Sequence, residues 1–243
     1  MTEQKNHAIV AKEVEEFQGG IIRAVAQHKH PYIVTIKNQE FVLFPDTFNP
    51  NYAKASLFLL ENLGVQRGDV VVDPFCGAGV DAIFAAINGA RKVVAIDKFT
   101  MPVLCTQYNV YQLGLDGKID VRKGDLFEPL KPEEKFDLVI ANPPFRASKP
   151  ESIIDNALKD ESYTALKKFF LEVGKHLTQK GRIRLVFSSV GDINLLEKLA
   201  TENNFDYKIV AQTYFASSVV INVYEMKRRN KNVSHSYRRY ANA

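Results

Sequence analysis

The fold is decided by residues 69–79, which read DVVVDPFCGAG. The first half is a short run of β-branched apolar residues, which is typical of a strand buried on both faces of a parallel sheet. Gly77 and Gly79 follow directly, where a backbone that turns sharply from a strand into a helix leaves no room for a Cβ. In open α/β sheets such a loop lies at the carboxyl end of a strand, where ligands bind. The segment therefore predicts both a fold class and a binding loop.

The chain beyond this loop repeats the rhythm of strand and helix. Further strands are predicted at 92–97, 119–122, 136–141 and 182–188, and helices at 80–88, 101–113, 163–176 and 194–203. This alternation indicates an α/β, Rossmann-like, doubly wound and mostly parallel sheet. The last two strands, at 207–215 and 219–226, are joined by three residues, too few for a crossover helix, so they must be antiparallel. We expect seven strands, ending in an antiparallel hairpin.

The chain before the glycine loop predicts a small N-terminal extension. Apolar residues at helical spacing predict a helix over residues 8–27, with a break or kink at Gly19-Gly20. Two strand-like runs between residues 32 and 44 predict a β-hairpin, and a helix is predicted over residues 52–63. We therefore divide the chain into an extension of helix and hairpin, an α/β domain and a basic tail, over residues 1–55, 56–226 and 227–243.

Composition excludes several classes of protein. The 243 residues contain two cysteines, Cys76 and Cys105, without paired spacing, which argues against a disulfide scaffold and a cysteine-based zinc site. The polar start lacks the apolar core of a signal peptide, and no apolar run is long enough to span a membrane. We expect a cytoplasmic protein with no membrane partner and no metal.

The net charge of +4 is unevenly distributed. Residues 227–243 contain six lysines and arginines and no acid, so the remainder of the chain carries a formal charge of −2. The body is therefore not a strongly basic nucleic-acid binder. Only the tail is a candidate contact for a polyanion.

Three acids stand at the ends of successive predicted strands. Asp73 directly precedes the glycine loop, where a carboxylate repels a pyrophosphate and favours a positively charged ligand. Asp97 can accept hydrogen bonds from both hydroxyls of a ribose, and Asp125 can accept one from an adenine amino group. Because the carboxyl ends of parallel strands face one crevice, we expect the three acids to meet there.

A second motif, Asn142-Pro143-Pro144-Phe145, follows the strand at 136–141. The prolines fix the backbone and remove two donors, so that carbonyl oxygens can point into a site. The Asn142 side-chain oxygen and the Pro143 carbonyl can accept both hydrogens of a planar amino group. Phe145 offers a face on which a flat group can stack.

Residues 70–145 resemble the core of class I S-adenosylmethionine-dependent methyltransferases with an Asn-Pro-Pro-aromatic motif. The order of the two motifs is similar to that of the methyltransferase-small type of N-methyltransferase. The resemblance implies S-adenosylmethionine as the cofactor, and it implies catalytic or target-binding roles for Asn142, Pro143 and Phe145. The candidate cofactor-binding residues are Asp73, Phe75, Gly77, Gly79, Asp97, Lys98, Asp125, Leu126 and Asn142.

These expectations describe direct methyl transfer to a planar nitrogen. The favoured acceptor is an amino group of an RNA base, and the alternatives are a small-molecule amine and a protein glutamine amide. Gly77, Gly79 and Ala82 also fit a nicotinamide dinucleotide fingerprint, with Asp97 as the ribose acid. A nicotinamide-dependent oxidoreductase is therefore a distant alternative, against which Asp73 and Asn142 argue.

Overall fold

The computed structural model describes residues 2–215 and 219–229. The link at 216–218 and most of the predicted basic tail, residues 230–243, lie outside this range. Lys227 and Arg228, the first two residues of the predicted tail, are the last two residues of a strand. Lys227 stands opposite Arg182 on one neighbouring strand and opposite Asp206 on the other.

The chain begins with helix α1 (Thr2–Ala26). The break predicted at Gly19-Gly20 is wrong, because both residues lie inside the continuous helix. A glycine lowers helix stability by about 1 kcal/mol relative to alanine, but it does not forbid the helical backbone. Ile21 and Val25 of the same helix are buried against the segment that contains Leu158, and this packing outweighs the glycines.

A hairpin of β1 (Tyr32–Ile36) and β2 (Gln39–Leu43) follows the helix. Lys37 and Asn38 both adopt positive φ, 49° and 63°, as a two-residue hairpin turn requires. Strand β2 therefore starts at Gln39, directly after the turn.

The main sheet has the predicted seven strands in the order β5-β4-β3-β6-β7-β9-β8. The first five strands in that order are parallel, and β9 is antiparallel to both β7 and β8. The predicted fold class is confirmed. The bounds are β3 (Val70–Asp73), β4 (Lys92–Asp97), β5 (Ile119–Lys123), β6 (Phe136–Ala141), β7 (Leu177–Ser188), β8 (Phe205–Phe215) and β9 (Val219–Arg228).

Helices cover both faces of this sheet. Their bounds are α2 (Lys54–Glu61), α3 (Val80–Ile87), α4 (Thr100–Gln112), α5 (Thr164–His176) and α6 (Ile193–Glu202). Buried residues of α2, α3 and α4 pack on one face of the sheet, and those of α5 and α6 pack on the other. Because β3, β4 and β6 are parallel neighbours, Asp73, Asp97 and Asn142 come to the same edge. Among the residues described, no helix is both long and apolar enough to cross a membrane.

Candidate active site

A cavity of about 150 Å³ lies at the carboxyl ends of β3, β4 and β6. We call it the first cavity. Most of the predicted site residues line it, namely Phe75, Gly77, Asp97, Lys98, Asp125, Leu126, Asn142 and Phe145. Asp73, Gly79 and Pro143 are buried and are not among the residues that line it.

The two glycines of the loop are needed for different reasons. Both have positive φ, 53° at Gly77 and 81° at Gly79. A Cβ at Gly79 would lie 2.7 Å from the Thr106 side chain, so this glycine lets the loop pack on α4. A Cβ at Gly77 would meet no atom within 4 Å, so the space in front of this residue is open to a ligand.

The two carboxylate oxygens of Asp73 differ in their hydrogen bonding. Its Oδ1 accepts a hydrogen bond from the Phe75 backbone N–H at 3.1 Å. Its Oδ2 is buried and has no hydrogen-bond partner among the described residues. Burial, then the nearby Asp81 and Asp97, raise the pKa of Asp73 well above its usual range. A buried carboxylate oxygen without a donor calls for a ligand that supplies one, and an ammonium group fits.

Asp81 is a site residue that sequence reasoning missed. It lies in the first turn of α3 and lines the first cavity. Burial raises the pKa of its carboxyl to about 7. The available signal was an acid two residues after Gly79, but acids are common in the first turn of any helix.

Asp97 ties the glycine loop to the end of β4. Its two oxygens accept hydrogen bonds from the backbone N–H groups of Gly77 at 3.0 Å and Phe99 at 2.9 Å. Burial raises the pKa of Asp97, although these bonds and Lys98 oppose the rise. Each carboxylate oxygen keeps a second lone pair, so the group can still accept bonds from ribose hydroxyls.

Asp125 and Leu126 follow β5, the strand next to β4, and both line the first cavity. One carboxylate oxygen of Asp125 pairs with Lys168 at 2.7 Å, and Lys168 also pairs with Glu128. Leu126 is buried and has a φ of +57°, an unusual backbone conformation for a branched side chain. Such strain is retained where surrounding structure fixes it, which is common at ligand sites.

The Asn142 side chain is oriented by a residue from α2. Its Nδ2 donates a hydrogen bond to Ser56 Oγ at 3.0 Å. With Nδ2 engaged, Oδ1 is the part of the amide that can accept a bond from a ligand. Ser56 is buried and lines the same cavity. No sequence pattern connects two residues 86 positions apart, so this contact could not be predicted.

Phe145 lies where the first cavity meets a second one. Its ring packs edge-on against Phe187, with 5.8 Å between the ring centroids. The second cavity, of about 60 Å³, also has Phe145 in its wall, together with residues of α1, β8 and β9. The Asn-Pro-Pro-Phe motif is therefore bordered by two spaces.

Comparison with known proteins assigns this arrangement to a family. Residues 50–213, about two thirds of the chain, match the methyltransferase small domain family. The chain belongs to that family. It is therefore an S-adenosylmethionine-dependent methyltransferase, and the match gives no support to the oxidoreductase alternative.

Two curated relatives are each similar to about two thirds of the chain. A protein of Methanocaldococcus jannaschii, provisionally named a protein N5-glutamine methyltransferase, is 27% identical over 174 residues, 69% of this chain and 85% of that protein. The ribosomal RNA small subunit methyltransferase C of Pseudoalteromonas translucida is 26% identical over 169 residues, 68% of this chain and 46% of that protein. The methyltransferase thus spans less than half the length of the second relative.

A solved structure agrees in fold. The Thermus thermophilus 16S rRNA N2 G1207 methyltransferase, in complex with AdoMet and guanosine, superposes with a TM-score of 0.60 at 24% identity. The match covers 82% of this methyltransferase and 50% of the Thermus chain. The cofactor of the family is S-adenosylmethionine, and the unpaired Asp73 Oδ2 and the open space at Gly77 fit it.

Proposed function

We propose that this methyltransferase transfers a methyl group from S-adenosylmethionine to an amino nitrogen of an RNA base. The observation that carries the proposal is the orientation of Asn142. Its Nδ2 is engaged by Ser56, and its side chain lies in the same cavity as Asp97. Oδ1 is therefore available to accept a hydrogen bond from an amino group brought to that cavity.

S-adenosylmethionine, when bound, supplies an electrophilic methyl group. The chain's own residues hold the acceptor. Asn142 Oδ1 accepts a hydrogen bond from the amino group, orients its nitrogen and stabilises the positive charge that grows on it. The face of Phe145 supports a flat ring. Asp73, Asp81 and Asp97 suit the cationic and hydroxyl groups of the cofactor.

Chemistry and relatives favour an RNA base among the three acceptors. An aromatic ring beside the amide acceptor suits a planar base better than the flexible side chain of glutamine. One relative is named a ribosomal RNA methyltransferase, and the Thermus structure holds guanosine. The glutamine amide is the second candidate, because the relative provisionally named for that activity matches over 85% of its length.

The test is transfer of labelled methyl from S-adenosylmethionine to separate pools of RNA, protein and small metabolites, prepared from cells that lack this protein. We expect label in an RNA base and loss of that label with Asn142→Ala. Label in protein glutamine, with none in RNA, would replace the proposal by the second candidate. Label only in metabolites would indicate a small-molecule amine.

A further inference from the structure

We propose that the second cavity is a binding pocket for the planar ring of the acceptor, and that Phe17 of α1 and Phe215 of β8 form its outer wall. The inference rests on the proposed function, because it names the part of the site that receives the base. It assigns α1 a role in acceptor recognition.

The position of the pocket connects it to the reaction. Ala53, Ala55, Phe145 and Leu158 line both cavities. A flat ring placed against Phe145 in the second cavity would reach toward Asn142, which lines only the first cavity. The two spaces are therefore arranged as a cofactor side and an acceptor side of one motif.

The lining of the pocket selects an uncharged occupant. Most of the described lining is aliphatic or aromatic, and the three side chains in it with strong polar groups each have a hydrogen-bond partner. Gln18 accepts a hydrogen bond from Arg146, Lys54 donates to the backbone carbonyl of Tyr214, and Ser188 accepts from the N–H of Val190. Lys54 is the one cation in this described lining, and it is exposed and donates to a neutral carbonyl. A wall that is otherwise mostly apolar fits a base ring better than a phosphate.

Phe17 and Phe215 form an aromatic pair that the fold leaves partly exposed. Their ring centroids lie 4.7 Å apart, yet Phe17 is 42% exposed. The two residues come from opposite ends of the described chain, and both line this cavity. Exposed aromatic faces at the mouth of a cavity are the usual platform for stacking of a base.

The contacts of Arg146 with Gln18 and Glu15, which we call the latch, hold α1 over the pocket. Arg146 Nη1 donates a hydrogen bond to Gln18 Oε1 at 2.8 Å, and Arg146 Nη2 lies 3.4 Å from Glu15. The backbone of Arg146 is bound on both sides, to Leu158 and to Asp160. Because Arg146 directly follows Phe145, the latch couples the position of α1 to the Asn-Pro-Pro-Phe motif. Arg146 is therefore a positioning residue.

Binding of a ligand to the second cavity can be measured without turnover, by the fluorescence of an introduced tryptophan, because the chain has no tryptophan of its own. Phe17→Trp places a single fluorophore at the proposed wall, and Tyr111→Trp places one on the exposed face of α4 as a control. Saturating S-adenosylhomocysteine keeps nucleosides out of the first cavity. We expect adenosine or guanosine, at millimolar concentration, to quench the Phe17→Trp variant with saturation and the Tyr111→Trp variant without it. N-acetylglutamine amide and ribose 5-phosphate are the comparison ligands.

Equal responses of the two tryptophan variants to nucleosides would overturn the proposal, and so would saturation by N-acetylglutamine amide alone.

A second experiment measures the kinetics of Phe17→Ala and Phe215→Ala. Each substitution should raise KM for RNA by about 5- to 150-fold. The cofactor Kd should not change. Tyr214→Ala, an exposed neighbour of Phe215, is the matched control and should leave KM unchanged. Unchanged KM in both phenylalanine variants would also overturn the proposal, whereas absence of any RNA methylation by the wild type would overturn the proposed function alone.

Discussion

The two cavities that meet at Phe145 differ in the chemical character of their walls. The first has the carboxylates of Asp81, Asp97 and Asp125 in its wall, with Asp73 buried nearby, and the second is walled mainly by apolar and aromatic side chains. The acids of the first come from one continuous part of the chain, whereas the second joins α1 to β8 and β9. This difference indicates that cofactor affinity and acceptor recognition can be changed separately.

Asn142→Ala, in the wall of the first cavity, should give the largest effect. The substitution removes the oxygen that we propose accepts a hydrogen bond from the acceptor, and such preorganised groups contribute about 10²- to 10³-fold to turnover. We expect kcat for methyl transfer to RNA to fall by that factor. The Kd for S-adenosylmethionine, measured by calorimetry, should stay nearly constant.

Ser56→Ala provides the matched test of orientation. It removes the acceptor of the Asn142 Nδ2 hydrogen bond but keeps the amide itself. Turnover should fall less than in Asn142→Ala, because the amide can still adopt the productive orientation part of the time. If Asn142→Ala lowers the affinity for S-adenosylmethionine by the same factor as kcat, Asn142 acts on the cofactor side alone.

Asp97→Asn tests the cofactor side. Asp97 holds two backbone N–H groups, and the substitution replaces one accepting oxygen by a donor. Charge-assisted hydrogen bonds are worth about 1.5–3 kcal/mol, so the Kd for S-adenosylmethionine should rise about 10- to 150-fold. KM for RNA should not change at saturating cofactor.

Asp137→Asn is the control for Asp97→Asn. Asp137 also accepts two hydrogen bonds, from Val70 and Thr178, but it does not line the first cavity. It should affect stability without changing cofactor affinity in the folded protein. Equal losses of affinity in both variants would mean that Asp97 acts only through the fold.

Asp81→Asn tests the acid cluster through pH. Burial raises the pKa of Asp81 to about 7 and also raises that of Asp73, so both carboxyls hold protons at a pH where ordinary carboxyls are ionised. A cationic ligand favours the ionised forms, so cofactor affinity should rise with pH, by up to about tenfold per unit for one linked proton. Calorimetry between about pH 6 and 8 should show a flatter rise in the variant.

Folding stability should respond to the same groups with the opposite sign. A carboxyl whose pKa is higher in the folded state binds more protons there than in the unfolded chain. Its contribution to stability therefore falls as the pH rises from about 4 toward the raised value. The melting temperature of the cofactor-free wild type should drop over this range, and that of Asp81→Asn should drop less. Identical pH profiles for the two proteins would contradict the assignment of Asp81.

The same contrast explains what the sequence could predict. Asp73, Gly77 and Asp97 lie at strand ends or in the loop between a strand and a helix, and parallel neighbours bring such positions together in any open α/β sheet. Local pattern and topology therefore suffice for the fold and for most of the first cavity. Ser56 and Gln18 reach the motif only through packing of distant helices, which no local pattern encodes.

Two details that differ from the sequence prediction also depend on tertiary contacts. The break at Gly19-Gly20 followed from helix propensity, which tertiary packing of α1 overrides. Strand β7 begins at Leu177, five residues before the predicted start, because pairing of Leu177 with Phe136 extends the sheet past a register shift. A bulge of this kind leaves no clear alternation in the sequence.

Gln18→Leu should give the smallest effect, and it tests the acceptor side through the latch. Gln18 is buried, and its oxygen accepts a bond from Arg146 at 2.8 Å. Hydrogen bonds to charged groups are worth about 1.5–3 kcal/mol, but the ion pair with Glu15 remains, so KM for RNA should rise only about 3- to 10-fold. Neither kcat nor the cofactor Kd should change, because no described residue of α1 lines the first cavity. Gln27→Leu, at an exposed position just after the helix, is the matched control. A cofactor Kd that rises as much as KM would show that α1 serves both cavities, and the division between them would fail.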